Sequence, residues 1–156
     1  MSKEFPEAEL VRNTYTIRAM DLPPNVKLTK RSMLRWFALS SGLITEKESR
    51  STILDVLDAL LYFHMKKSYQ PITNDIRQHM KEQGIEISEK LLRYHLRRLI
   101  DMGLIRRKKL KYFFNAAPNS DPSDLKAGYS HHITRKVNSA LAENEKTLEK
   151  LSSFYR

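Results

Sequence analysis

The fold is decided by the stretch from Ser88 to Asn115, SEKLLRYHLRRLIDMGLIRRKKLKYFFN. Its first half predicts a helix that Ser88 caps and Gly103 ends, because a serine hydroxyl accepts from an orphan N–H and glycine adopts left-handed backbone easily. Four side chains at helical spacing form one buried stripe: Leu92, His95, Leu96 and Leu99. The opposite face carries the basic and hydrogen-bonding residues Lys90, Arg93, Tyr94, Arg97 and Arg98.

The second half of the stretch predicts a basic β-hairpin, with strands at Leu104–Arg107 and Leu110–Asn115. In the second strand, Tyr112 and Phe114 share one face and Phe113 lies on the other. The hairpin has no Gly or Asn-Gly at its tip, which leaves the turn type open. Ser88 to Tyr112 contain nine Lys or Arg residues and two acidic ones, so this segment holds +7 of the net charge of +10.

A second helix start is expected before this stretch. Thr45-Glu46-Lys47-Glu48 has the spacing of a capping box, in which hydroxyl and carboxylate satisfy each other's backbone donors. This box predicts the start of the first core helix, which should end near Lys67.

These segments resemble the winged helix-turn-helix superfamily, and most closely the small repressors of the arsenical-resistance and multiple-antibiotic-resistance types. The matching pattern is Tyr94-His95-Leu96, Leu99 and Gly103-Leu104-Ile105, and the resemblance covers roughly residues 46 to 115. Upstream, the run from Ile72 to Met80 matches the family's supporting helix, which implies Thr73 as its cap and Ile76 and Met80 facing inward. It implies a mainly α fold with a small β-hairpin, whose recognition helix enters the major groove of double-stranded DNA. Winged helices also serve as interaction modules, so the resemblance alone does not establish regulation.

The residues of the basic face are expected to make different contacts with DNA. Arg93 and Arg97 lie one helical turn apart and can reach guanine edges, while the lysines of the hairpin would lie over the DNA backbone or the minor groove. Lys90 and Arg98 suit phosphates, and Tyr94 suits a phosphate or a thymine methyl. The predicted DNA-binding residues are Thr73, Ser88, Lys90, Arg93, Tyr94, Arg97, Arg98, Arg107, Lys108, Lys109 and Lys111.

Four segments are predicted along the chain: an N-terminal arm and apolar helix (1–44), a winged helix-turn-helix domain (45–115), a linker (116–128) and a C-terminal helix (129–156). The apolar helix should run from Lys30 to Ser41, between a Thr29 cap and Gly42. It has little polar face, so it must be covered on more than one side.

The C-terminal helix carries a short heptad-like seam and is too short to be stable alone. It either pairs with a second copy or folds back on its own domain. We favour pairing, because two-fold symmetry suits palindromic DNA. The predicted dimer-interface residues are Trp36, Phe37, Val137, Leu141, Asn144, Leu148, Leu151 and Tyr155.

Several site chemistries are unfavourable for this sequence. The chain has no cysteine, which excludes thiolate catalysis and cysteine-based zinc sites. His131-His132 lack further ligands at metal spacing, and Asp55 and Asp58 fit solvated helix carboxylates better than acid–base catalysis. No glycine-rich phosphate loop or catalytic triad pattern is present. We therefore expect no enzyme activity, no cofactor and no metal.

The prediction for the whole chain is a basic, dimeric, sequence-specific double-stranded DNA-binding protein, a transcriptional regulator whose small-molecule effector, if it has one, the sequence does not identify. No apolar run approaches the roughly 18 residues of a membrane span, and the first residues lack the core of a signal peptide. A cytoplasmic, nucleoid-associated protein without membrane contact is expected. The alternative is a winged-helix module of a replication, transcription or segregation complex, which binds nucleic acid non-specifically or binds an acidic protein.

Overall fold

The computed structural model describes residues 5–48 and 50–156. The chain divides into two units, residues 1–49 and residues 50–156. The first unit contains the N-terminal segment and the apolar helix. The second contains the helix-turn-helix, the hairpin and the C-terminal helix.

The first unit is built on helix α1 (Lys30–Ser40), which follows short 3-10 turns at Pro6–Leu10 and Pro24–Leu28. Thr29 caps α1, because its hydroxyl oxygen accepts from the backbone N–H of Ser32 at 3.1 Å. The expected apolar helix is therefore confirmed to within one residue at its end.

The arm before α1 is fastened to the end of that helix. The guanidinium of Arg18 donates to the carbonyl oxygens of Leu39 and Ile44. The backbone N–H of Arg18 donates to the carbonyl oxygen of Ser40 at 2.8 Å. Since the last carbonyls of a helix have no partner within it, Arg18 satisfies groups that would otherwise need water.

The second unit begins with helix α2 (Ile53–Leu61), which continues as a wider π-helical turn over Tyr62–Lys66. The predicted start of this helix at Thr45 is wrong. The box forms in part, because the Thr45 N–H donates to the Glu48 carboxylate at 3.1 Å, but it closes only an isolated turn. The polar run 46–52 has no apolar side chain to bury, so the helix begins where the apolar stripe begins.

A helix-turn-helix follows, formed by α3 (Thr73–Glu82) and α4 (Glu89–Asp101). The predicted Thr73 cap is wrong: Ile72 holds the cap position and donates its backbone N–H to the Asp75 carboxylate at 3.0 Å. The predicted boundaries of α4 are confirmed. The Ser88 hydroxyl oxygen accepts from Leu91 N at 3.1 Å. The stripe predicted from the sequence is buried, namely Leu92, His95, Leu96 and Leu99.

After Gly103, whose φ is +91°, the chain forms an antiparallel hairpin of β1 (Ile105–Lys108) and β2 (Lys111–Phe114). The backbone N–H of Tyr112 also donates to Pro71 O at 2.8 Å, which ties the hairpin to the start of α3. Each strand is shifted slightly from its predicted bounds, because residues 109 and 110 form a two-residue turn. Three helices followed by this hairpin are the arrangement of a winged helix-turn-helix.

The C-terminal helix begins earlier than predicted, inside the segment expected to be a linker. It runs as α5 (Leu125–Tyr129), a π-helical turn (Ser130–Thr134) and α6 (Arg135–Ser153), with Asp124 as cap. Asp124 accepts from the third residue of this helix and so supplies the start signal that the prediction overlooked. Within the described residues, no helix is both long and apolar enough to cross a lipid bilayer.

The start of the C-terminal helix is packed against the winged-helix core. Ile133 is only 3% exposed, and the ring nitrogens Nε2 of His64 and His132 lie 2.7 Å from the carbonyl oxygens of Pro122 and Ala116. Gly128 is buried, and a Cβ at that position would overlap the carbonyl oxygen of Asn115. Segment 116–134 is therefore held at the base of the hairpin, whereas α6 has no buried residue.

Candidate nucleic-acid interface

The exposed face of α4 is the most basic helical surface in the second unit. Lys90, Arg93, Tyr94 and Arg97 are exposed, and Arg98 is half-buried. Tyr94 is 58% exposed, with the Arg98 guanidinium 5.9 Å from its ring centre. The predicted division of α4 into a buried stripe and a basic face is thus reproduced, and the basic face is open to a large ligand.

The arginines on this face differ in their contacts. Arg93 forms an ion pair with Glu89 at 3.0 Å, one turn earlier on the helix. Both side chains are about half exposed, so this pair stabilises the protein little and can be exchanged for another acceptor. Arg97 has no hydrogen bond or ion pair within the described residues, and its guanidinium is free to donate to a ligand.

Helix α3 and the turn that leads from it to α4 line an open cleft of about 810 Å³. Ser88 lies here, and its hydroxyl oxygen is engaged as a cap while the hydroxyl proton remains a donor. Thr73 is half-buried as the first residue of α3. The cleft is also lined by polar residues that sequence reasoning missed: Asn74, Arg77, Gln78 and Lys81.

The hairpin adds a second cationic surface. The side chains of Arg106, Arg107, Lys108, Lys109 and Lys111 are all exposed. Arg106 lies over the ring of Phe113 at 4.9 Å, and Arg107 lies near Tyr112 at 6.0 Å. These cation–π contacts restrain the two arginines. Within residues 5–48 and 50–156, the lysines nearer the tip have no such aromatic contact.

His95 holds α4 in place from its buried side. Its Nε2 lies 2.9 Å from the hydroxyl oxygen of Thr52, which directly precedes α2, and its Nδ1 is buried without a partner among the described residues. Burial, and secondarily the positive charge of Arg98, lower the pKa of His95 below its ordinary value. The lowered pKa favours the neutral form of the ring, which links α4 to the residue before α2.

The pair His131-His132 is engaged in contacts within the chain. His131 Nδ1 lies 2.8 Å from Arg135 Nη1, and the His132 ring donates to Ala116 O. Among residues 5–48 and 50–156, no three His, Cys, Asp or Glu side chains are grouped closely enough to hold a metal ion.

The predicted dimer-interface residues lie in two different environments. Trp36 and Phe37 are half-buried in α1, and the Trp36 indole donates to Asp21 O at 2.6 Å. On the C-terminal helix, Val137 is half-buried and the rest of the seam is exposed. That exposed set comprises Leu141, Asn144, Leu148, Leu151 and Tyr155.

The comparisons with known proteins agree with the geometry. Residues 61–111, about a third of the chain, match the model of the ribonuclease R winged-helix domain. No curated protein and no solved structure is significantly similar to the chain. The chain therefore contains a winged-helix domain, a fold that binds nucleic acids or serves as an interaction module. The closer resemblance to small repressors stays a prediction.

Proposed function

We propose that this chain is a non-catalytic, sequence-specific double-stranded DNA-binding protein that acts as a dimeric transcriptional regulator. The observation that carries the proposal is the exposed basic face of α4 beside the cationic hairpin. In winged-helix proteins that bind DNA, the second helix of the helix-turn-helix lies in the major groove. Most of the net positive charge of this chain, +7 of +10, lies on that helix and on the hairpin that follows it.

The roles of the basic residues follow from their contacts. Arg97 is exposed and lacks a partner within the described residues, so it is the first candidate for a bidentate contact to guanine. Arg93 can make the same contact after releasing Glu89. The hairpin lysines contribute affinity without sequence information, because they are suited to phosphates.

The proposed dimer uses α6. Its apolar seam is exposed along most of its length, while the start of the C-terminal helix is held against the core by Ile133 and His132. Two copies paired through α6 would present two recognition helices related by a two-fold axis, which suits a palindromic site. The Trp36–Phe37 surface of α1 is the second candidate interface.

The decisive experiment is selection of bound sequences from random duplex DNA at about 0.15 M salt. The dissociation constant for the selected duplex is then compared with that for a scrambled duplex of equal length. A regulator should prefer its site by roughly 10³-fold or more. A ratio near one would overturn the regulator and leave a non-specific nucleic-acid-binding module.

That module is the second candidate function. The match to a winged-helix domain of a ribonuclease, rather than of a repressor, favours it. In this case the basic face binds nucleic acid without sequence preference or binds an acidic protein. Adding RNA of the selected sequence, single-stranded and duplex, to the same titration separates the two functions. Equal or tighter binding of RNA favours the module.

A further inference from the structure

The tip of the hairpin combines two features that are unfavourable in the isolated protein. Lys109 and Leu110 form the two-residue turn with φ of +51° and +70°. Such turns require positive φ at both positions and prefer Asn-Gly, because side chains with a Cβ are strained there. Leucine is an unusual choice for the second position.

The side chain of Leu110 is 61% exposed, so burial within the hairpin does not offset the backbone strain. Directly behind the turn, Lys108 and Lys111 are cross-strand partners. Like charges directly opposite each other on a hairpin destabilise the pairing. A strained backbone that supports a solvated leucine among three lysines is therefore more compatible with a bound than with a free state.

We propose that Leu110 is an apolar wedge that inserts between base pairs from the minor groove of duplex DNA, while Lys108, Lys109 and Lys111 contact the flanking phosphates. Apolar side chains inserted in this way unstack a base step and kink the duplex. This inference rests on the proposed DNA binding and adds to it a deformation of the DNA.

The charge and size of the tip favour DNA over a lipid surface. The three lysines around Leu110 match a polyanion, and only one large apolar side chain projects among them. One leucine offers too little apolar area for stable membrane attachment, whereas a single side chain is enough to unstack a base step. The hairpin also follows α4 after only three residues, so it lies beside the helix proposed to enter the major groove.

The test compares three variants of the full chain: Leu110→Asn, Leu110→Gly and Leu110→Met. Asn and Gly tolerate positive φ and remove the wedge, whereas Met keeps a long apolar side chain. The selected duplex, about 30 base pairs long, carries donor and acceptor dyes at its ends to report bending. A second duplex carries 2-aminopurine at successive steps, because its fluorescence rises on unstacking.

The wild type and Leu110→Met should bend the duplex and unstack one step. Leu110→Asn and Leu110→Gly should neither bend the duplex nor unstack a step. They should bind roughly tenfold more weakly, because the lost leucine contact outweighs the unstacking cost that is saved. Their slope of log affinity against log salt should equal that of the wild type, because no phosphate contact is lost. Their melting temperatures should be equal or higher, because the turn strain is relieved.

Three results would overturn the wedge. If Leu110→Asn bends the selected duplex as the wild type does and binds within twofold, the wedge is wrong and the proposed DNA binding stands. If the wild type binds no duplex, both proposals fail together. If anionic phosphatidylserine vesicles bind the wild type but not Leu110→Asn, while DNA bending is unchanged, the tip is a lipid contact instead.

Discussion

Helices α4 and α6 are both amphipathic, but only α4 has its apolar stripe covered within the second unit. Leu96 on α4 is 1% exposed, whereas Leu148 on α6 is 66% exposed. Leucines at similar spacing are therefore buried on α4 and exposed on α6. The difference teaches that periodicity identifies the face of a helix that needs a partner but does not identify the partner.

The cause lies in how each helix is connected. Helix α4 is enclosed by neighbours in sequence, with α3 before it and the hairpin after it, so its stripe meets their apolar residues. Helix α6 has 19 residues and extends roughly 28 Å. Only the turn before it, at Ile133, is fixed to the core. The remainder of its stripe is exposed, which is the basis of the proposed pairing.

The largest expected effect comes from removing α6. A chain ending after Val137 keeps the buried Ile133, which a shorter chain ending near Ala127 would lose. The chain ending after Val137 should be monomeric in sedimentation experiments. On a palindromic DNA site its affinity should fall by about 10²- to 10⁴-fold, because the two half-site contacts are no longer linked. Affinity for a single half-site should be nearly unchanged.

A truncated protein that remains dimeric would contradict pairing through α6. The α1 surface with Trp36 and Phe37 would then become the interface candidate. Leu141→Lys in the full chain provides a control that keeps the helix intact. It should also give monomers, because a charge placed in an apolar seam is buried at high cost.

The second expected effect concerns stability and uses the same substitution on both helices. Leu96→Ala should lower the free energy of unfolding by about 2–5 kcal/mol, because it leaves a cavity in the core. Leu148→Ala should change the free energy of unfolding by less than about 0.5 kcal/mol. This measurement uses the full chain at a concentration low enough to keep it monomeric. Urea unfolding measures both. Equal losses would mean that α6 folds back onto its own domain.

The parts of the fold that follow from local signals could be predicted from the sequence. The Ser88 cap, the buried stripe of α4 and the stop at Gly103 depend on residues within one helix. The strand faces at Tyr112 and Phe114 follow from alternation alone. The structure buries both of these side chains, whereas Phe113 is half-buried.

The errors occurred where a local signal competes with packing. The Thr45–Glu48 box forms its turn, but the helix begins only at Ile53, where burial starts. Thr73 is the first residue of α3 rather than its cap, and the Asp75 carboxylate accepts from the backbone N–H of Ile72, which holds the cap position. Sequence alone cannot rank such alternatives, since their energies differ by amounts that tertiary contacts decide.

The candidate site was only half predictable. The basic faces of α4 and the hairpin are visible as charge in the sequence, and the structure exposes them. The cleft residues Asn74, Arg77 and Lys81 were not identified, because their grouping depends on how the turn 85–88 lies beside α3. Polar residues on α3 look like an ordinary solvated face until the path of that turn is known.

A smaller effect is expected on the exposed face of α4. Arg97→Ala should weaken binding to the selected DNA by about 1–3 kcal/mol and affect scrambled DNA less, because base contacts carry discrimination. Arg93→Ala should act in the same direction, with a smaller loss because Arg93 must first leave Glu89. Lys146→Ala on α6 removes one charge outside the winged-helix domain and serves as control. Titrations with both duplexes give the comparison. Equal losses on the two duplexes would show that neither arginine reads bases.

The smallest effect concerns the buried side of α4, where His95 faces Thr52. Because burial and Arg98 lower the pKa of His95 in the folded protein, the unfolded state takes up the proton first as the pH falls. The contribution of His95 to stability is fully present above its pKa in the unfolded chain, about 6.5. It is lost as the pH falls from there toward the lower pKa of the folded protein. Urea unfolding between about pH 7.5 and pH 5 should therefore show a decline in stability. His95→Leu should remove this part of the decline while leaving that of the half-buried His131, whose pKa is also lowered. An identical decline in His95→Leu would mean that the ring is solvated and does not hold α4 in place.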